Sequence, residues 1–98
     1  MQDRSKEDGW RFFIELCTQH PRPEELKELF DLFFTLEEKE DMAGRYNLVK
    51  ALLEDKHTQR EIAEKLHLSI SKITRGSNAL KAITQKFKEA LKRKMGLS

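Results

Sequence analysis

In this 98-residue chain, the side chains whose types and spacing could do chemistry are concentrated between Ile70 and Lys81, and the chemistry they suit is recognition. Placed on a helix at about 100° per residue, Ile70, Ser71, Thr74, Asn78 and Lys81 share one face. Hydroxyls at the N-terminal end of such a helix can hydrogen-bond base edges, and an apolar side chain there can meet a thymine methyl. Arg75, Ala79 and the flank of Gly76 form a different face, with Lys72 close by. Arg75 offers a flat, permanently charged guanidinium that stacks on an aromatic ring or pairs with a carboxylate. Gly76 costs roughly 1 kcal/mol against alanine in a helix interior, and Thr74, Ser77 and Asn78 are poor helix formers as well. Local conflict of this kind accompanies a functional site, with Gly76 letting something approach the backbone. It also fits a close helix–helix contact at Gly76 with Arg75 simply solvated. Reaction chemistry has no comparable signature. No nucleophile–base pair has a recognisable spacing, Cys17 lies in an apolar stretch as a buried, reduced core thiol, and no His or Cys cluster has metal-ligand spacing. The sequence predicts neither an enzyme nor a metal site.

These residues need a scaffold, and the spacing predicts an all-α one of about six helices. Thr58-Gln59-Arg60-Glu61 is a capping box opening a helix that ends near Leu66. Ser69 caps the next helix, which runs to about Ala82. Gln59 to Gly76 therefore fits a helix-turn-helix within about residues 58–82. Ile62 and Leu66 face inward from its first helix, Ala63 is small at the crossing, Leu68 plugs the turn and Ile73 faces back from the second helix, whose core side is Ile73, Ser77 and Leu80. His67 occupies a turn position that favours glycine, so it must accept a strained backbone. An α-hairpin with no DNA role fits the same spacing. Upstream, Trp10, Phe13, Ile14 and Cys17 mark a first helix that His20-Pro21-Arg22-Pro23 ends. Pro23-Glu24-Glu25 opens a second, very apolar one. Thr35-Leu36-Glu37-Glu38 is a capping box for a third, with Met42, Tyr46, Val49 and Leu53 as its inward stripe and Leu48 and Leu52 beside them. Thr84 caps a last helix, and Gly96 follows Met95 at its C-cap.

The length suits one domain, residues 1–98, with a single modest core. The net charge of +2 hides an asymmetry: residues 1–55 carry 8 basic and 14 acidic side chains, residues 56–98 carry 11 and 3. A one-sided basic half is the electrostatic footprint of a nucleic-acid binder, or a solvated helix face. Lys72, Lys81 and the basic tail Lys86, Lys88, Lys92, Arg93 and Lys94 can neutralise phosphates, which positions a protein on DNA without specifying sequence. Five of the six phenylalanines precede residue 35. The first two helices are apolar around more of their circumference than a chain this small easily covers, so a homodimer is the simplest expectation, with a compact monomer as the other possibility. No apolar run approaches a membrane span and the N-terminus has no signal-peptide pattern, so a cytoplasmic protein without membrane contact is expected.

Ile73-Thr74-Arg75-Gly76-Ser77-Asn78, followed by Leu80-Lys81, closely resembles the signature of the tryptophan repressor family. The match continues upstream through Gln59-Arg60-Glu61, Leu52-Leu53, Gly44-Arg45, Thr35 before an acidic pair, and Trp10. It runs without a gap from Trp10 to Lys81, most of the chain. The resemblance implies an intertwined homodimer that binds operator DNA and represses tryptophan biosynthesis or uptake genes when L-tryptophan is bound as corepressor, with no other cofactor.

By that resemblance, Arg45 and Arg75 would sandwich the indole, Arg75 would also meet the carboxylate, and Gly76 would give the ring room. Leu32, Phe34 and Thr35 would close the pocket and receive the amino group through backbone carbonyls. Arg60, Ile70, Ser71 and Thr74 would face base edges, with Gln59, Lys72 and Lys81 at or near phosphates. The chain departs from the family pattern at Ala79, where a ligand-contacting serine is usual, which weakens the amino-group contact or alters ligand preference. Lys72 stands at a usual threonine, Ser71 at a usual alanine and Ala63 at a usual lysine, which favours a shifted operator sequence. The arm before Trp10 is short. Two other classes fit the residues without the resemblance: a helix-turn-helix DNA-binding module with no small-molecule corepressor, of transposase or replication-initiator design, and a purely structural dimerisation protein.

Overall fold

The computed structural model describes residues 5–19 and 22–97. Among them are six helices and no strand: α1 (Lys6–Gln19), α2 (Pro23–Phe33), α3 (Leu36–Glu54), α4 (Gln59–Leu66), α5 (Ile70–Ala82) and α6 (Gln85–Lys94). The all-α expectation holds. The break expected at His20-Pro21 and the arm up to Arg4 lie outside the described residues. The chain packs as two compact units, one ending at Leu36 and one beginning at Glu37.

The first unit is an aromatic cluster with no buried residue among those described. Phe13 of α1 meets Phe30, Phe33 and Phe34 at centroid distances of 6.1, 5.3 and 5.5 Å, and stacks on Trp10 at 5.9 Å. Edge-on and offset geometries let each ring's positive edge face a neighbour's negative face. Even so, Trp10, Ile14, Leu32 and Phe33 stay 61, 43, 78 and 51 % exposed. Cys17 is half-buried, not buried as its apolar surroundings suggested, because neither α1 nor α2 has a fully covered face.

In the second unit a small core joins three helices. Leu48 of α3, Ile62 of α4 and Ile73 of α5 are 4, 2 and 0 % exposed, with Ala51, Leu52, Ala63, Leu66 and Leu68 packed around them. The roles expected of Ile62, Leu66, Leu68 and Ile73 are those observed. On α3 the expected stripe needs correction. Leu53 is buried as expected and Val49 is half-buried, but Met42 and Tyr46 are 60 and 50 % exposed, and Leu48, expected only beside the stripe, is buried in the core. Alpha-3 is apolar on two sides, and α4 and α5 cover only the side that carries Leu48, Ala51 and Leu52.

Local chemistry sets the ends of these helices. Thr58 Oγ1 accepts from Glu61 N–H at 3.2 Å while Glu61 Oε1 accepts from Thr58 N–H at 2.8 Å, a complete capping box. Ser69 Oγ caps Lys72 N–H at 3.2 Å, and Thr84 Oγ1 caps Phe87 N–H at 3.1 Å. Alpha-4 stops at His67, which adopts φ 56° and ψ 45°, while Leu68 N–H donates to Ala63 O at 3.0 Å. That left-handed turn swings α5 across α4, with histidine where glycine would be unstrained. Alpha-6 ends in the same way at Gly96, φ 77°, where Leu97 N–H reaches Lys92 O and Gly96 N–H reaches Arg93 O.

Candidate ligand cleft and nucleic-acid interface

The face expected to meet DNA is the outer face of α5. Ile70, Ser71, Lys72 and Thr74 are all exposed on its first two turns. Ile70 leaves 53 % of its surface in water although it opens a helix seated on the core. The core uses Ile73 and Gly76 instead, so the Ile70–Ser71–Thr74 face is left free for a partner. Gln59 and Arg60 are exposed at the start of α4, and Lys81 at the far end of α5. The six other side chains of the DNA expectation are thus on the surface of one unit together with Ile70.

Behind α5 lies a cleft of about 280 Å3. Its α3 wall carries Glu40, Asp41, Gly44 and Arg45, its α5 wall Lys72, Gly76 and Ala79, and Leu48, Val49 and Leu68 supply the apolar surface. The volume is at the small end for ligand pockets, which span roughly 300–1,000 Å3, and suits a molecule of amino-acid size. A wider cleft of about 480 Å3 lies among the ends of α3 and α5, the start of α4 and one side of α6, where Lys81, Lys88 and Lys92 contribute to the walls. Long, flexible polar chains dominate it, so the smaller cleft is the better-formed candidate for an aromatic ligand.

The smaller cleft brings together Arg45, Gly76 and Ala79 from the expected ligand set. Arg75 is exposed beside Gly76 on α5 and is not part of the lining. Leu32, Phe34 and Thr35 belong to the first unit; Leu32 and Thr35 are exposed there, and Phe34 is half-buried against Phe13 and Phe30. The helical wheel turns only a flank of Gly76 toward the ligand, and the structure buries it. A Cβ at Gly76 would stand 3.0 Å from Leu48 Cδ2 and 3.3 Å from Leu52 Cδ1, so the glycine serves the close approach of α5 to α3. Gly44 is different: a Cβ there would meet no atom within 4 Å, although the residue lines the cleft. Glu40, Asp41 and Gly44 line this cleft without having been expected there from the sequence. The available signal is a glycine in mid-helix one turn after an acidic pair.

The electrostatics of the helix-turn-helix are local. Glu61 has its pKa lowered, first by the hydrogen bond from the Thr58 backbone N–H, then by the Thr58 side chain, with His57 adding a smaller pull. His57 Nδ1 lies 3.8 Å from Glu61 Oε2 and its Nε2 lies 3.3 Å from Lys65 Nζ. The capping carboxylate is held charged at the start of α4, where the helix dipole favours it. Among the described residues no group of three or more His, Cys, Asp or Glu is placed to hold a metal ion. Among them, too, no helix is long and apolar enough to cross a membrane.

A short capped helix, a left-handed turn and an exposed second helix in a basic half define a helix-turn-helix protein of the DNA-binding class. Comparison with known proteins makes the assignment specific. The family model described as Trp repressor protein matches residues 8–95. A Trp operon repressor homolog of Chlamydia caviae is 54 % identical over 92 residues, covering 94 % of this chain and 91 % of that protein. One from Chlamydia trachomatis serovar D is 48 % identical over 90 residues, covering 92 and 96 %, and one from Vibrio cholerae serotype O1 is 35 % identical over 82 residues, covering 84 and 80 %. The chain belongs to the Trp repressor family, a family of transcription regulators and not of enzymes. This membership disfavours the transposase-like or replication-initiator-like alternative.

Proposed function

We propose that this chain is a tryptophan-responsive repressor, which binds operator DNA as a homodimer when L-tryptophan occupies the cleft behind α5. The observation that carries the reading is the position of that cleft: the helix that presents Ile70, Ser71 and Thr74 outward presents Lys72, Gly76 and Ala79 to the cleft on its other side. A ligand bound there bears directly on the pose of the reading helix. In this reading Arg45 and Arg75 hold the indole, and Arg75 closes over the ring on binding. The family pattern gives the remaining contacts to Leu32, Phe34 and Thr35. Arg60, Ile70, Ser71 and Thr74 face bases, and Gln59, Lys72 and Lys81 sit at or near phosphates.

The homodimer is supported by what the protomer leaves uncovered. Trp10, Leu32, Phe33, Leu36, Met42, Tyr46 and Phe87 are each at least half exposed. Monomeric soluble proteins rarely show so much large apolar surface, and obligate dimers bury it. Two reading heads related by a two-fold axis would match half-sites about one helical turn of DNA apart. A cytoplasmic location is part of the same proposal.

A ligand shifts binding only by its difference in affinity for two states, and the coupling is reciprocal. L-tryptophan is therefore titrated calorimetrically into the protein alone and into its complex with an operator selected from random duplexes. The expected result is tighter tryptophan binding in the complex, by the same factor by which tryptophan tightens DNA binding. Equal affinities would refute the corepressor mechanism. DNA binding with no tryptophan binding would leave a helix-turn-helix module without a ligand.

A further inference from the structure

The positive charge of the C-terminal half is concentrated on a helix to which the repressor reading gives no role. Alpha-6 carries five cations, Lys86, Lys88, Lys92, Arg93 and Lys94, against one acid, Glu89. Alpha-4 carries two of each sign and α5 three cations without an acid, so α6 is more cationic than either helix of the helix-turn-helix. The structure divides the five. Lys88 and Lys92 are half-buried on the wall of the wider, 480 Å3 cleft, whereas Lys86, Arg93 and Lys94 are exposed and lie off it. Gln59 and Lys81, which the family pattern puts at phosphates, line that same cleft. Its acids are Asp55 and Glu89, and Glu89 Oε1 accepts from Gln85 Nε2 at 2.8 Å. Among the described residues neither acid forms an ion pair with Lys81, Lys88 or Lys92. Three ammonium groups from two helices therefore share one groove with no carboxylate paired to them.

We propose that α6 is a second backbone-gripping element: Lys88 and Lys92, with Lys81, seat phosphates that flank the half-site read by α5. This rests on the DNA-binding part of the function proposed above and is independent of its tryptophan part. Cations held near one another repel, and a row of phosphates removes that repulsion while releasing the counterions condensed on DNA. Lys88 and Lys92 stand one turn apart, about 6 Å along the helix, so they offer a line of charge and not a single point. That line is continuous with Gln59 and Lys81, and a DNA backbone that reaches those two residues runs on into the groove. The attachment is short and fixed. Only Ile83 and Thr84 separate α5 from α6, and Thr84 Oγ1 caps Phe87 N–H at 3.1 Å. A backbone held by α6 is thereby kept in register with the reading helix. Such contacts add affinity and placement without reading sequence. An acidic protein segment is the competing occupant, but it would have no reason to run on past Gln59 and Lys81.

The test uses the full chain, with L-tryptophan present, and two duplexes carrying an operator selected from random sequence. One ends at the selected site; the other extends it by about ten base pairs, one helical turn, on each side. Fluorescence anisotropy gives the affinity for each between about 50 and 200 mM salt. The natural chain should bind the extended duplex more tightly and with the steeper salt dependence. Lys88→Gln with Lys92→Gln should abolish that advantage. It should also lower the slope of log affinity against log salt by about 0.9 per phosphate released, up to about 3.6 for two lysines in each of two protomers. Lys86→Gln with Arg93→Gln removes the same charge away from the groove, and should produce a smaller change that is equal on both duplexes. Equal losses from the two pairs would overturn the proposal, because the effect would then be that of net charge. So would a natural chain indifferent to the flanks, or an unchanged advantage in Lys88→Gln with Lys92→Gln, which would leave the groove to an acidic protein. Sedimentation should find each variant in the oligomeric state of the natural chain; a fall to monomer in the groove variant would overturn the proposal and make the groove a contact between copies. If the natural chain selects no operator at all, it is the DNA-binding reading that fails.

Discussion

Replacing Gly44 with alanine should stabilise the ligand-free protein and cripple its ligand site at once. Glycine inside a helix costs roughly 0.5–1 kcal/mol relative to alanine. An added Cβ at Gly44 meets no atom within 4 Å, so no steric cost offsets that gain. For a domain of this size a gain of about 1 kcal/mol raises Tm by about 4–8 °C. Chain concentration must be held fixed, because an associating protein has a concentration-dependent Tm. Gly44 also lines a cleft of only about 280 Å3, where an added methyl takes up part of the space. Overfilling a close-packed contact costs typically about 1–3 kcal/mol, so L-tryptophan affinity should fall by about fivefold to about 150-fold. Thermal unfolding followed by circular dichroism gives the first quantity and calorimetry the second. Gly76→Ala is the control with the opposite sign. Its Cβ arrives 3.0 Å from Leu48 Cδ2 and 3.3 Å from Leu52 Cδ1, and Leu48, 4 % exposed, can give way only toward the cleft it lines. Crowding then outweighs the propensity gain, for a net loss of about 1 kcal/mol. A lower Tm for Gly44→Ala, or a higher Tm with undiminished tryptophan affinity, would refute the view that Gly44 is there to leave space.

Four further outcomes are expected. His67→Gly removes a left-handed strain of about 1 kcal/mol and should raise the denaturant midpoint without changing the slope of the transition. Thr58→Ala should cost about 1 kcal/mol by uncapping α4. Because the Glu61 pKa is lowered from its ordinary 4.5, its contribution is complete above that value and is lost as pH falls through the lower, folded one; the stability gap between the natural chain and Glu61→Gln should therefore close as the pH drops from about 5 to below 4.5. Lys88→Gln with Lys92→Gln, on the cleft wall shared with Lys81, should flatten the dependence of log affinity on log salt by about 0.9 for each phosphate that is no longer neutralised, with sequence preference unchanged.

The helix-turn-helix was legible because its signals are short-range. A capping box spans four residues, and Thr58 and Glu61 find each other whatever the rest of the chain does. Ile62 and Ile73 had no competing apolar face on α4 or α5, so periodicity alone sent them inward. Alpha-3 offered no such choice. Its two apolar sides are equally good on a wheel, and only the arrival of α4 and α5 decides that Leu48 and Leu52, and not Met42 and Tyr46, are covered within the protomer. The lining of the smaller cleft was partly legible for a similar reason. Gly76 and Arg45 came with the family signature. Lys72 is harder, because a lysine near the start of a reading helix fits a phosphate partner by sequence alone. Its place on the cleft wall depends on the crossing of α5 over α3, which no local pattern encodes.

Leu48 belongs to three sets of contacts at once. It lines the cleft, it limits how near α5 can come at Gly76, and it is one of the three residues of the core that seats the reading helix. On the corepressor reading, the message from ligand to DNA has almost no distance to travel: it passes through one side chain. Evolution then cannot retune ligand preference at this position without also resetting how the reading head is held. Divergence within such a molecule is pushed outward, to the rims of the cleft and the face of α5, where Lys72, Ser71 and Ala79 already depart from the family pattern.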